Sequence, residues 1–334
     1  MKICVIGAGA IGSVAAAYLH RAKQEVTLVG KPDQVRAINQ HGLRITGVRD
    51  EELFHLPAKI VMDEPCELVI FTTKTQDLEA AYQDNQEFLE DCYILTTQNG
   101  VQADNILSCH FEKDKMFSSI VMFGATYIKS GEVIFNFEGD WILGMPFAPI
   151  GPIAQRIAEL LGRAFHVVTT SEITGMKYLK LFVNFNNCIP AMVGRPMQET
   201  FADLDLCRLS IRLLKEGVDI VKMAGLQLVS MPNFPVERIT GLAQMPEEAA
   251  AGIIQKALTG LSKEPLYGSI LQSINRGRES EIDFINGEVV SLAKQLRKEA
   301  PLNGRVVELV HQVEKTGKFF TVEDIKGRFN LVNV

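Results

Sequence analysis

At 334 residues the chain is too long for one small core, so its length argues for two domains. A hydrophobic content of 47% with 22% charged residues is that of an ordinary globular protein, and no internal repeat or low-complexity tract is visible. The net charge of −6 argues against a nucleic-acid-binding surface, so any positive patch must be local and purposeful.

The first half alternates strand-like and helix-like stretches. Lys2–Ile6 reads as a buried strand, and Ile11–Arg21 as a helix with Ile11, Val14, Ala15, Tyr18 and Leu19 on its apolar side. Glu25–Val29 is the next strand. After a more irregular stretch, Leu68–Thr73, Tyr93–Thr97 and Met116–Phe123 read as further strands, with a helical segment between the first two. This alternation predicts a parallel sheet covered by helices on both faces. Between Ala125 and Gly144 the pattern changes: Val133, Phe135 and Phe137 alternate with Ile134, Asn136 and Glu138, which predicts antiparallel edge strands. A helix over Ile153–Gly162 and a short strand at His166–Thr169 follow. From about Ser171 the strand signal disappears, and helical patterns cover 174–188, 203–224, 281–298 and 304–315. The segment 225–268, rich in Gly, Pro and Met, leaves room for shorter helices. These patterns predict a domain boundary near residue 170, with a sheet-containing unit over residues 1–170 and a helical unit over 171–334.

The six cysteines, Cys4, Cys66, Cys92, Cys109, Cys188 and Cys207, show neither CxxC nor Cys/His spacing, so no metal site is expected and a reduced compartment fits. The first apolar run, Ile3 to Ile6, is too short for a signal-peptide core, and no later run reaches the length of a membrane span. A cytoplasmic location without membrane or nucleic-acid partners is the expectation.

Gly7-Ala8-Gly9-Ala10-Ile11-Gly12 is a GxGxxG placed directly after a strand and opening a helix. The first glycine permits the tight turn, the second lets the backbone approach a pyrophosphate, and the third lets helix and strand pack closely. Free N–H groups at the helix start then hold the phosphates. NAD-binding versions carry an acid at the end of the second strand, where it bonds the ribose 2′-hydroxyl. Here that strand ends Val29-Gly30-Lys31-Pro32. Lys31 can neutralise a 2′-phosphate, with Arg36 assisting, which points to NADP. Asp33, slightly beyond, argues the other way, and a solvated loop lysine is the plain alternative.

Two more polar segments sit at carboxyl ends of predicted strands, Thr73-Lys74-Thr75-Gln76 and Gln98-Asn99-Gly100. In the helical half, Lys180, Asn184 and Asn187 are spaced i, i+4, i+7 and share one helix face among apolar neighbours. Such a lysine and two asparagines cost stability unless they meet polar partners or line a cavity. Pro190 offers no N–H to the carbonyl of Asn186, so a kink or helix end is expected nearby. Ser280 and Asp283 look like a helix-capping pair, which would place Glu281 in a first helical turn.

These motifs, with Lys180-Leu181-Phe182-Val183-Asn184, Ser280-Glu281-Ile282-Asp283-Phe284-Ile285-Asn286-Gly287 and Ala300-Pro301-Leu302-Asn303, occur in an order and spacing that resemble the ketopantoate (2-dehydropantoate) reductase family over nearly the whole chain. The resemblance implies an α/β Rossmann domain followed by an all-α C-terminal domain, 6-phosphogluconate dehydrogenase-like, with the active site in the cleft between them. It implies NADPH-dependent reduction of ketopantoate to pantoate, a step of pantothenate biosynthesis. Lys180 matches the family's catalytic lysine, acting as general acid, and Glu281 its substrate-binding glutamate. Lys74 and Asn99 match cleft residues near nicotinamide and substrate. Asn184 matches the first of two substrate-contacting asparagines, and Ser269 a serine that helps hold the substrate carboxylate. Cys188 stands where the second asparagine belongs, with Asn187 adjacent; Lys31 stands where arginine is usual. Ile270 replaces a methionine and Ser273 an aspartate. These departures leave open a related 2-oxo acid or opine-type dehydrogenase, or a non-catalytic NADP-binding sensor. A homodimer is the base-rate expectation.

Overall fold

The computed structural model describes residues 1–262 and 264–331. The chain divides into two compact units, Met1–Thr174 and Gly175–Val334. The first contains β1 (Lys2–Ile6), α1 (Ala10–Arg21), β2 (Glu25–Val29), α2 (Pro32–His41), β3 (Leu43–Gly47), β4 (Glu52–Phe54), β5 (Ala58–Lys59), β6 (Leu68–Phe71), α3 (Leu78–Asn85), β7 (Tyr93–Thr96), α4 (Gln102–Leu107), β8 (Met116–Val121), β9 (Gly124–Lys129), β10 (Glu132–Phe137), β11 (Trp141–Gly144), α5 (Pro152–Gly162) and β12 (Val167–Thr169).

The main sheet has the order β12-β11-β8-β7-β6-β1-β2-β5. Its strands from β5 to β8 run parallel, and β11 is antiparallel to β8. Parallel strands covered on both faces read as continuous apolar runs, and alternate residues serve opposite faces. Ile3, Val5, Leu68, Ile70 and Leu95 enter one core, while Cys4, Ile6, Val69, Phe71 and Ile94 enter the other. The chain winds outward from β1 in both directions, so the topology reverses between β1 and β6. Ligands of doubly wound sheets bind at the carboxyl ends beside such a reversal.

The irregular stretch after β2 holds three short strands that the sequence pattern does not reveal. Two of them change the reading of residues 125–144. β9 and β10 do pair antiparallel, but they do not extend the main sheet. They join β3 and β4 in a separate four-stranded sheet, β4-β3-β10-β9, where β10 runs parallel to β3. Helix α1 packs against β1 and β2 of the main sheet and against β3, β9 and β10 of the small one. Covered from both sides, it is buried from Gly12 through Leu19 rather than along one stripe. The run Ala15-Ala16-Ala17 suits that close approach.

The second unit is helical: α6 (Ile173–Asn184, whose first two residues belong to the first unit), α7 (Cys188–Val193), α8 (Met197–Thr200), α9 (Leu204–Met223), α10 (Glu237–Gln244), α11 (Glu247–Thr259), α12 (Ser269–Asn275), α13 (Asn286–Gln295), α14 (Pro301–Thr316) and α15 (Val322–Arg328). α9, capped by Asp203 accepting from the Asp205 and Leu206 N–H groups, packs against α10, α11, α13 and α14. No helix among the described residues is long and apolar enough to cross a membrane.

Candidate functional site

Register brings the carboxyl ends of four strands level. Ile6 pairs with Val29 on one side and with Phe71 on the other, and Phe71 pairs with Thr96. The loops beginning at Gly7, Gly30, Thr72 and Thr97 therefore leave the sheet in one row.

In the first loop the three motif glycines meet different surroundings. Gly7 has φ +121°, and a Cβ there would lie 2.7 Å from the Thr73 nitrogen. At Gly12 a Cβ would lie 2.0 Å from the Gly7 carbonyl oxygen and 2.2 Å from Thr72 Oγ1. At Gly9 a Cβ would meet nothing within 4 Å. The protein itself therefore needs glycine at 7 and 12, whereas the space at Gly9 is open and leaves its backbone accessible to a ligand. Ala8 is buried, Ala10 and Ile11 half-buried, and the first turn of α1 carries no acid to oppose an anion. Beside the turn, Thr73 Oγ1 is buried without a hydrogen-bond partner among the described residues. An open backbone cradle at a helix start and an orphan hydroxyl suit a dinucleotide pyrophosphate.

The turn is held by side chains from neighbouring loops. Thr72 Oγ1 lies 2.8 Å from the Gly7 carbonyl and 3.1 Å from that of Ile6. Gln34, buried at the start of α2, donates to the Ala8 carbonyl at 2.9 Å and accepts from the Lys31 N–H at 2.9 Å. Lys31 and Arg36 are exposed at the end of β2 and on α2. Asp33 accepts from Ser130 at 2.6 Å, and that hydrogen bond is the first cause holding its pKa below the ordinary aspartate value.

Lys74 and Asn99 are half-buried in the loops after β6 and β7. Gln98, almost fully buried, donates to the carbonyls of Phe71 at 3.0 Å and Thr73 at 2.9 Å, tying these loops together. Thr97 Oγ1 adds a bond of 2.9 Å to Phe71.

In the helical unit Lys180 and Asn184 stand one turn apart on α6, both half-buried. Desolvation lowers the Lys180 pKa, because it penalises the ammonium and no charge among the described residues offsets it. The expected kink falls before Pro190: a 3-10 turn, Phe185–Asn187, separates α6 from α7. That turn aims the asparagines differently. Asn186 accepts from Ser210 on α9. The Asn187 amide packs on Gly268, where a Cβ would lie 2.5 Å from Asn187 Oδ1. Ser269, exposed, opens α12, which packs on the 3-10 turn and on α7.

Two expectations need correction. Cys188, assigned to substrate binding, is completely buried; its Sγ donates to the Phe185 carbonyl at 3.0 Å and meets Asn286. Burial pushes its pKa up to about 12, so it is an inert packing thiol. Ser280 and Asp283 do not form a capping box. Ser280 Oγ accepts from Ile282 N–H at 3.3 Å, Asp283 bonds His311 at 3.0 Å, and a short 3-10 turn, Ile282–Phe284, precedes α13. Glu281 is half-buried ahead of that turn. His311 also bonds Glu314 at 2.7 Å, and Glu314 accepts from the Ser280 N–H at 2.8 Å, so α14 braces the Glu281 segment from both sides.

Sequence reading missed three anchors. Gln34, three residues after Lys31, carried the signal of an N3 glutamine. Gln98 was noticed only as part of a motif. Asn286 and Asn303, both fully buried, bond at 2.9 Å, and Glu216 accepts from the Asn303 backbone at 2.8 Å and its amide at 2.9 Å. The two asparagine motifs therefore lock α9, α13 and α14 together.

Comparison with known proteins adds an independent line. Residues 3–146 match the family model described as ketopantoate reductase PanE/ApbA, and residues 172–314 match its C-terminal model. The 2-dehydropantoate 2-reductase of Pyrococcus horikoshii is 28% identical over 95% of this chain and 99% of its own. That of Lactococcus lactis subsp. lactis is 24% identical over 94% and 98%. Among solved structures, D-mandelate dehydrogenase with NADH and anilino(oxo)acetate superposes with a TM-score of 0.82 at 23% identity, over 95% of this chain and 99% of that one. A PanE/ApbA family ketopantoate reductase from Ralstonia eutropha JMP134 gives 0.80 at 22%, over 94% and 99%.

Proposed function

The chain belongs to the ketopantoate reductase family of oxidoreductases, and on that premise we propose that it reduces 2-dehydropantoate to pantoate with NADPH, Lys180 acting as general acid. The observation that carries this reading is the state of Lys180. It is half-buried one turn before Asn184 on a helix of mostly buried apolar residues, and desolvation lowers its pKa. Such a group costs stability and is understandable where negative charge develops on a bound molecule.

Bound at the glycine turn, the reduced nicotinamide supplies a hydride to the ketone carbon. Gly9 admits the pyrophosphate, the first N–H groups of α1 hold it, and Lys31 meets the 2′-phosphate. Lys74 and Asn99 leave the sheet in the same row and serve the nicotinamide end. Lys180 stabilises the alkoxide as it forms and gives it a proton, and the lowered pKa makes that transfer easier. Glu281 accepts from the substrate hydroxyl. Asn184 and Ser269 take the remaining polar groups, and Asn187, packed beside Ser269 on Gly268, stands in for the asparagine that Cys188 lacks.

One observation favours a second reading, a less polar 2-oxo acid. The position of the family's second asparagine holds a thiol withdrawn into the packing, which leaves one amide fewer for the substrate. A site built to bond a hydroxyl rejects an analogue that lacks it. Steady-state kcat/KM for ketopantoate, 2-oxoisovalerate and the 2-oxo acid of mandelate separates the readings. Ketopantoate is expected to be turned over fastest, and Glu281→Ala should shrink its lead over 2-oxoisovalerate. Faster turnover of either other acid by the wild type rejects ketopantoate as the substrate; turnover of none rejects the reductase reading.

A further inference from the structure

The end of β2 carries two opposed charges. Lys31 suits a 2′-phosphate, while Asp33, two residues later in the first turn of α2, is a carboxylate in the region where NAD-type sites read the ribose 2′-hydroxyl. Asp33 is exposed and feels the charge of Lys31, and without a fixed partner its carboxylate would be free to swing toward a bound phosphate and repel it. The small sheet intervenes. The turn between β9 and β10 lies over α2: Gly131, with φ +83°, would place a Cβ 3.5 Å from that of Ala37, and its carbonyl accepts from the Arg44 N–H at 2.8 Å. From this turn Ser130 donates to Asp33 Oδ2 at 2.6 Å. Tyr127 OH lies 3.0 Å from Ser130 Oγ, and Gln34 donates to Tyr127 OH at 3.2 Å and to the Ala8 carbonyl at 2.9 Å.

The donors run in one direction: the Gln34 amide to Tyr127, Tyr127 to Ser130, Ser130 to the Asp33 carboxylate. Because Ser130 donates to Asp33, it accepts from Tyr127, which in turn accepts from Gln34, an order in which neighbouring bonds strengthen one another. The chain starts at the glycine turn and ends on the only acid in the first turn of α2. We propose that Ser130 is a specificity-determining residue that tips the site toward NADPH by holding the Asp33 carboxylate turned away from the 2′-phosphate. The proposal rests on the NADPH reading above and adds to it a residue from another sheet. The Asp33 pKa, lowered first by this hydrogen bond, accords with a carboxylate kept charged but engaged.

The test is fluorescence titration of NADPH and NADH against the wild type, Ser130→Ala, Asp33→Asn and the double variant. Ser130→Ala should lower the ratio of NADPH to NADH affinity about three- to fivefold, the size of one solvent-screened charge interaction of up to about 1 kcal/mol. Asp33→Asn alone should move the ratio less than about twofold, and in the Ser130→Ala background it should restore the wild-type ratio. Simple loosening of the turn would weaken both cofactors together and would not be rescued at Asp33, so that outcome overturns the proposal. An unchanged ratio in Ser130→Ala overturns it while leaving the NADPH preference standing. A large rise in the ratio with Asp33→Asn alone also overturns it, and remains readable if Ser130→Ala does not fold. A wild type without NADPH preference overturns both this proposal and the cofactor reading beneath it.

Discussion

Adding a single methyl group at Gly9 or at Gly12 should produce opposite defects. At Gly12 the new Cβ would lie 2.0 Å from the Gly7 carbonyl oxygen, more than an ångström inside the usual carbon–oxygen contact of about 3.3 Å. The obstacle is backbone, and α1 has no room to retreat because the small sheet closes its other side. Overpacking of this kind costs roughly 1–3 kcal/mol. At about 2–4 °C per kcal/mol, a cost of about 3 kcal/mol lowers Tm by roughly 6–12 °C. Gly9 has extended backbone, φ −81° and ψ −165°, with open space around the new methyl. The loss of a glycine at the helix cap and the gain from a less flexible unfolded chain are each below about 1 kcal/mol and oppose one another. Gly9→Ala should therefore melt within about 2 °C of the wild type. It should nevertheless bind NADPH at least about tenfold more weakly, because its methyl displaces an anion from charge-assisted N–H bonds worth about 1.5–3 kcal/mol each. Thermal melts and fluorescence titrations on both variants check this. Wild-type affinity in Gly9→Ala, or wild-type Tm in Gly12→Ala, would refute the division of roles.

Three further outcomes are expected. Lys180→Met should lower kcat about a hundredfold or more while leaving NADPH affinity unchanged and Tm unchanged or raised, since it removes a general acid and a partly desolvated charge together; stopped-flow and melting curves check it. The rate of ketone reduction should fall as pH rises through the Lys180 pKa, because the acid must be protonated, and that limb should lie below the ordinary lysine range; Lys180→Arg, which stays charged, should remove the limb from the pH profile. Asn303→Leu should destabilise the protein by about 2–4 kcal/mol in urea titrations, because Asn286 and Glu216 lose their buried partner, while NADPH affinity holds.

Much of the first unit was legible because its signals are local. A buried strand, a glycine turn and an alanine-rich helix are contiguous, and the first two strands span the stretches that the apolar pattern predicts. The Lys180 and Asn184 spacing was equally local, since a helix puts i and i+4 on one face whatever surrounds it. Gly7, Gly9 and Gly12 could be named from the motif, but only the neighbours of each showed that Gly7 and Gly12 are required by close contacts while Gly9 faces open space.

What the sequence determined by itself, then, is the alternation of the longer strands and helices of the first unit, the glycine turn after β1 and the helix bearing Lys180, each written in residues a few positions apart. Tertiary structure alone decided which distant segments meet. The short strands β3 and β4 lack the length to announce themselves, yet β3, paired with β4 on one side and β10 on the other, helps bring Ser130 to Asp33, 97 positions away. The 3-10 turn after Asn184 turns Cys188 into the packing, although a continuous helix would have kept it on the face of Asn184. Asn303 reaches Glu216 across 87 positions. Helix and turn propensities act within a few residues, whereas strand pairing and buried polar contacts become favourable only when the collapsed chain has excluded water from both partners.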